Sequence, residues 1–221
     1  MKKQDPNKDY YIDEIRRCQD PWYFITTYVK TAPPGKPPKS VPRWDFLHDL
    51  IKALYEEQFL IILKSRQMMI TWLVVIYCMW EAMMNESILT IFVSYRQSEV
   101  QEMIKRAQFV YNNLPPFLQL TIGTSNKKEM EFPTRNSRLL ALPSVKQGST
   151  RSYSASRIVM DEAAFIEGAE EFYAGARPSL ADTGKIVLLS SSKGISNWFG
   201  KIWTGIRTDF SEVSREGVKG L

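Results

Sequence analysis

The sequence predicts an α/β domain with a largely parallel central sheet and flanking helices. Three observations lead there. Short runs such as Phe59-Leu60-Ile61-Ile62-Leu63 and Ile88-Leu89-Thr90-Ile91-Phe92-Val93 are apolar on both faces, as strands covered on both sides must be. Longer helical stretches separate these runs. Charged or hydroxyl residues then follow the runs directly, in Lys64-Ser65-Arg66, Asp161-Glu162 and Ser190-Ser191-Ser192.

In chain order, the charged amino-terminal segment through Lys30 carries the cluster Pro21-Trp22-Tyr23-Phe24 and ends in Pro33-Pro34-Gly35-Lys36-Pro37-Pro38. That proline density opposes helix continuation and marks residues 1–38 as an arm or small lid with its linker. Phe46, Leu47, Leu50, Ile51 and Leu54 recur at the spacing of an amphipathic helix beside the first strand. Thr71 to Met84 is a core helix, too short and too polar at its Asn85-Glu86 end for a membrane span. A helix from about Gln97 is stopped by Pro115-Pro116. Gly123 to Ser137 is expected to hold an antiparallel excursion, and Arg138–Leu142, Arg157–Met160 and Lys185–Leu189 are further strands, with helix between Glu170 and Leu180.

Composition bounds the chemistry. The chain has 221 residues, enough for one large domain with an appendage. Its 44% hydrophobic content supports a sizeable core and excludes wholesale disorder. His48 is the sole histidine, which excludes multi-imidazole catalysis and multi-histidine metal sites. Cys18 and Cys78 form no CxxC pair, and Met1-Lys2-Lys3-Gln4-Asp5-Pro6 lacks a signal-peptide core, so an intracellular, reducing setting is expected. The net charge of +5 is a weak argument for a polyanionic partner, sharpened by the stretch from Phe132 to Met160. That stretch has no acid but carries Arg135, Arg138, Lys146, Arg151 and Arg157, which can neutralise phosphates if they share a face.

Lys64-Ser65-Arg66-Gln67-Met68-Met69-Ile70-Thr71 joins a strand to a helix amino terminus, the arrangement that gathers backbone donors and positive dipole around a phosphate. Lys64 and Arg66 supply phosphate charge, and Thr71 is placed to offer its hydroxyl to magnesium. An ordinary P-loop has Gly-Lys before the Thr, where this chain has Met69-Ile70; taken alone, the segment is more simply a basic loop feeding a core helix. Ile158-Val159-Met160-Asp161-Glu162 delivers paired carboxylates at a strand end, Asp161 suited to a metal and Glu162 to activating water. Acid at a helix amino terminus is the competing account. The order of the two segments, with Ser190-Ser191-Ser192 after a later strand, is that of a nucleotide motor.

At these combined motifs, over about residues 40 to 205, the chain resembles the amino-terminal ATPase domain of the large terminase subunit of tailed bacteriophages. The resemblance implies a RecA-like P-loop NTPase core over residues 39–221, binding ATP and Mg2+ and driving double-stranded DNA through the portal protein into a procapsid. It also implies a small terminase subunit as partner, a homo-oligomeric ring on the portal, no membrane association, and the cytoplasm of the infected host as location. The family's separate nuclease domain is expected to be missing. On this resemblance Lys64 is a loop lysine placed at the loop's start, as in some members, and Met69 stands where the family usually has glycine. Asp161 supports the metal, Glu162 activates water, and Arg151 in Gly148-Ser149-Thr150-Arg151 is an arginine finger acting within the ring. Ser190 and Ser191 belong to the segment coupling hydrolysis to movement, and Trp44 in Val41-Pro42-Arg43-Trp44 stacks on adenine, although Asp45 replaces the usual Gln. Two alternatives remain: a related RecA-like helicase or recombination ATPase, and a catalytically silent packaging assembly module.

Overall fold

The computed structural model describes residues 7–32, 35–143, 153–205 and 218–220. Helices α1 (Lys8–Arg17) and α2 (Pro21–Tyr28) lead into a hairpin of β1 (Lys30–Thr31) and β2 (Lys39–Ser40), then α3 (Asp45–Glu56). The α/β part follows: β3 (Phe59–Leu63), α4 (Ile70–Met84), β4 (Leu89–Ser94), α5 (Gln97–Asn112), β5 (Glu129–Phe132), β6 (Ser137–Pro143), β7 (Ala155–Asp161), α6 (Ala169–Ala176), β8 (Leu180–Ser190), α7 (Trp198–Trp203) and β9 (Val218–Gly220).

Strands lie in the order β5-β6-β4-β7-β8-β3-β9. All neighbours are parallel except β5 and β6. The exception is the expected excursion: a Pro133–Arg135 turn ending in Asn136 at φ 51 returns the chain antiparallel. Successive residues of a strand face opposite sides, and the two cores record it. Leu60, Ile62, Phe92, Val159, Val187 and Leu189 face the layer of α2, α3, α4 and α5. Ile61, Ile91, Val93, Ile158, Met160, Ile186 and Leu188 face the layer of α6 and α7.

Helix α4 is apolar on almost every face because it lies between the sheet and the other helices. The amino-terminal helices join the same core: Cys18, Phe24, Ile25 and Val29 are buried with α3 and α4, and Trp80 Nε1 donates to the Cys18 carbonyl at 2.8 Å. Asp20 caps α2 by accepting from Trp22 N at 2.8 Å, with Pro21 in the first turn. Buried Glu14 ties the arm together, accepting from Tyr23 at 2.8 Å and from Tyr28, and pairing with Arg17 at 2.9 Å.

One expectation is corrected. Arg157 does not join a phosphate-facing set: its side chain is fully buried and pairs with Glu81 through two 2.8 Å hydrogen bonds, over the Tyr77 ring and bonded to the Leu54 carbonyl. An uncompensated guanidinium cannot be buried, so the nearest acid on α4 claims it. Arg135 lies 3.9 Å from Glu86, and Arg138 stacks over Tyr153. Lys146 falls outside the described residues.

Candidate functional site

Parallel strands present all their carboxyl ends on one edge, and register fixes which residues meet there. Leu63 pairs with Ser190, and Asp161 with Leu189. Lys64, Glu162 and Ser191 therefore leave three adjacent strands, β3, β7 and β8, within one residue of the same level; Lys64 N donates to the Ser190 carbonyl at 2.9 Å.

Lys64 Nζ stands at the focus. It lies 3.1 Å from Thr71 Oγ1, 3.1 Å from Asp161 Oδ1 and 2.8 Å from Glu162 Oε1. The other carboxylate oxygen of Glu162 accepts from Ser191 N at 3.1 Å and from Ser191 Oγ at 2.9 Å, while Ser190 Oγ, fully buried, accepts from Ala164 N at 3.2 Å. Glu162 is itself held at φ 51, a left-handed conformation that turns the chain sharply out of β7, and its N–H donates to Asp161 Oδ1 at 2.9 Å.

Burial separates the two carboxyls. It pushes Asp161 above the usual aspartate range, with Lys64 offsetting only part of the cost. Burial also works against ionised Glu162, but the hydrogen bond and charge of Lys64 and the Ser191 donors outweigh it and hold Glu162 below the glutamate range. Burial opposes the Lys64 ammonium as well; the charges of Asp161 and Glu162 prevail and raise it above an ordinary lysine.

The loop from Lys64 to Ile70 turns through two left-handed residues, Gln67 at φ 64 and Met69 at φ 61. Met69 thus keeps the backbone that a glycine would take without strain, at a cost of about 1–2 kcal/mol. No side chain caps α4, so the N–H groups of its first turn stay open toward the loop. Loop and carboxylates line one cleft of about 1210 Å³, ample for a nucleotide. Ser65, Arg66, Gln67, Met68, Met69 and Ile70 all contribute to its wall. Trp44 lines it too, half-exposed and stacked on Phe46 at 5.5 Å between centroids. Arg151 lies outside the described residues.

The oxygen donors of Thr71, Asp161 and Glu162 converge on an ammonium, a chemistry that fits a hard divalent cation. Among the described residues no group of three His, Cys, Asp or Glu forms a metal cage, so such a cation would take further oxygens from phosphate and water.

Two walls were not visible in the sequence. Helix α5 contributes Ser98, Glu99, Glu102, Lys105 and Arg106, whose recurrence at three and four residues is a polar helical stripe that reads equally as a solvated face. The β1–β2 hairpin brings Lys36 and Lys39. Beyond Ser191, Asn197 Nδ2 donates to the Lys193 and Gly194 carbonyls at 3.1 and 3.0 Å, and Gly200 of α7 packs so closely that a Cβ would lie 2.5 Å from the Gly194 carbonyl.

Known proteins share the fold. The structure is similar to the large terminase of bacteriophage HK97, at 15% identity and a TM-score of 0.70, over 91% of this chain and 43% of that one. It is similar to the large terminase of a thermophilic bacteriophage solved with ADP, at 11% identity and a TM-score of 0.60, over 79% and 44% of the two chains. It also matches the large terminase ATPase domain of Thermus phage P74-26, at 12% identity and a TM-score of 0.54, over 74% of each chain. The chain spans less than half the length of the first two. These likenesses establish a RecA-like α/β fold with a mostly parallel sheet. Among the described residues no helix is long and apolar enough to cross a membrane. The model of the family described as terminase large subunit, T4likevirus-type, N-terminal, matches residues 61–219, and the chain belongs to that family.

Proposed function

We propose that this chain is the Mg-dependent ATPase domain of a viral DNA-packaging motor, coupling ATP hydrolysis to translocation of double-stranded DNA into a procapsid. The observation that carries the reading is the Lys64 ammonium bridging Thr71, Asp161 and Glu162, with Ser191 gripping the far oxygen of Glu162. A phosphate-binding lysine, a metal-side hydroxyl and a base meet at one point. Family membership and the terminase solved with ADP support the same chemistry.

In this mechanism the open amino terminus of α4, Lys64 and Arg66 hold the triphosphate, and Trp44 stacks on adenine. Thr71 and Asp161 would hold Mg2+, which when bound supplies positive charge to the phosphate oxygens. Lys64 then exchanges its carboxylate partners for phosphate oxygens. Glu162, ionised at neutral pH, accepts the proton of a water whose oxygen attacks the terminal phosphorus; the bond from phosphorus to the bridging oxygen breaks, and that oxygen leaves with ADP. Ser191 keeps Glu162 aimed and registers its change of partner. Arg151, from a neighbouring copy, completes the charge around the transition state.

Residues 39–221 form the motor domain and residues 1–38 its arm and linker. The partners are double-stranded DNA, the portal protein, the small terminase subunit and further copies in a ring, assembled on the procapsid in the infected bacterial cytoplasm. The test is ATP turnover by the assembled protein beside Glu162→Gln. Turnover should fall about 100-fold or more with nucleotide binding kept. Absence of both ATP binding and turnover in folded, assembled wild type rejects the mechanism.

A further inference from the structure

The α5 wall of the cleft holds a guanidinium that none of the roles above uses. Arg106 lines the same cleft as the phosphate loop. Its guanidinium carbon lies 5.2 Å from the centre of the Trp72 ring, and Trp72 immediately follows Thr71 in the first turn of α4. Phe109, one turn further along α5, meets Trp72 edge to face with ring centroids 6.2 Å apart. The guanidinium is therefore stacked in place beside the loop instead of waving in solvent. Its Nε is buried without a hydrogen-bond partner, and the nearest acid, Glu102, stands 3.8 Å away, too far to accept. Glu102 also approaches Lys105 at 3.7 Å, so its one carboxylate is shared between two cations. A buried donor left unpaired is costly, and a guanidinium lying against a ring can still turn its terminal nitrogens to an oxyanion.

We propose that Arg106 is a phosphate-binding residue acting within the same chain, contacting the inner phosphates of the bound nucleotide. The inner phosphates are the group it fits: Lys64, Glu162 and Ser191 mark the end where the terminal phosphate reacts, whereas Arg106 reaches the first turn of α4 from the opposite, α5 side. A contact there is made equally with substrate and product, so it sets affinity and leaves the chemical step alone. The inference rests on the cleft being a nucleotide site.

The experiment measures ADP and ATP binding by calorimetry, and steady-state turnover, on the 221-residue chain in wild type, Arg106→Ala and Arg106→Lys, with thermal melts to confirm folding. Arg106→Ala should weaken both ADP and ATP about tenfold or more and raise KM in step, with kcat within about twofold. Arg106→Lys, keeping charge without the bidentate edge, should recover part of the affinity. A merely structural role would lower the melting temperature without that split. Wild type that binds ADP while a folded Arg106→Ala binds it equally well overturns this inference alone; wild type that binds neither nucleotide overturns it together with the proposed function. A fall confined to ATP, or to kcat, places Arg106 on the terminal phosphate and also overturns the assignment.

Discussion

Replacing Lys64 with Met removes the cation from between two acids and leaves a side chain of similar length. Breaking a buried pair from one side costs about 3–5 kcal/mol, because a charge remains without its partner. Asp161 is 12% exposed and Glu162 24%, so water relieves part of the penalty and the low end, about 3 kcal/mol, applies. For a chain of this size that is roughly 6–12 °C in melting temperature. The sign with pH follows from the three shifts. Lys64 is raised, so its contribution is complete below the ordinary lysine value of 10.5 and is lost only as pH climbs through its higher folded value. Glu162 is lowered, so its contribution is complete above 4.5 and is lost as pH falls through its folded value. Asp161, raised by burial, works in the opposite sense: the stability it gives is present below 3.8 and lost as pH rises. The gap between wild type and Lys64→Met should therefore be flat around neutrality and close in acid. The closing should begin at a higher pH than the wild-type carboxyls would set, since both carboxyls of the variant titrate higher once the ammonium is gone. Melts followed by circular dichroism at pH 7 and across the acid range measure this, without nucleotide, in Glu162 and Glu162→Gln backgrounds. Equal melts at pH 7, a gap that persists in acid, or the same loss on the Glu162→Gln background would refute the reasoning.

Met69→Gly should keep the loop and change stability by no more than about 1–2 kcal/mol, while Met69→Val, β-branched at φ 61, should cost more and weaken nucleotide binding; melts and ADP titrations separate the two. Arg157→Met, far from the cleft but leaving the partly buried Glu81 without its partner, should destabilise by about 3 kcal/mol in denaturant unfolding, and Arg157→Met with Glu81→Leu should recover much of it. Ser191→Ala should lower turnover more than nucleotide affinity, since it removes one of two Ser191 donors on Glu162; a purely affinity-based loss in steady-state kinetics would contradict that.

The strands were legible because burial on both faces leaves a purely apolar run: Phe59–Leu63 is predicted residue for residue. Helix ends were less so. α5 stops at Asn112 because its last turn hands over to Leu114 through a bonded turn before Pro115 acts. Motif order pointed to Lys64, Thr71, Asp161 and Glu162, but their convergence on one ammonium is a matter of register between strands about 100 residues apart in sequence. Arg106 and the burial of Arg157 escaped for the same reason: a basic side chain's partner, Trp72 or Glu81, is supplied by another element. Positive φ at Met69 and Gln67 was equally hidden, because neither residue type announces a left-handed backbone.

The contact at Gly200 has a mechanical meaning. Backbone there meets backbone with no side chain between, and Asn197 laces the same turn from within. A side chain would act as a cushion, absorbing small shifts by changing rotamer; bare carbonyl against bare Cα has no such slack. On the proposed function, a shift at Ser191 large enough to carry its loop through Gly194 would reach α7 with little side-chain slack to absorb it, which makes this joint a candidate link between the cleft and the far helical layer.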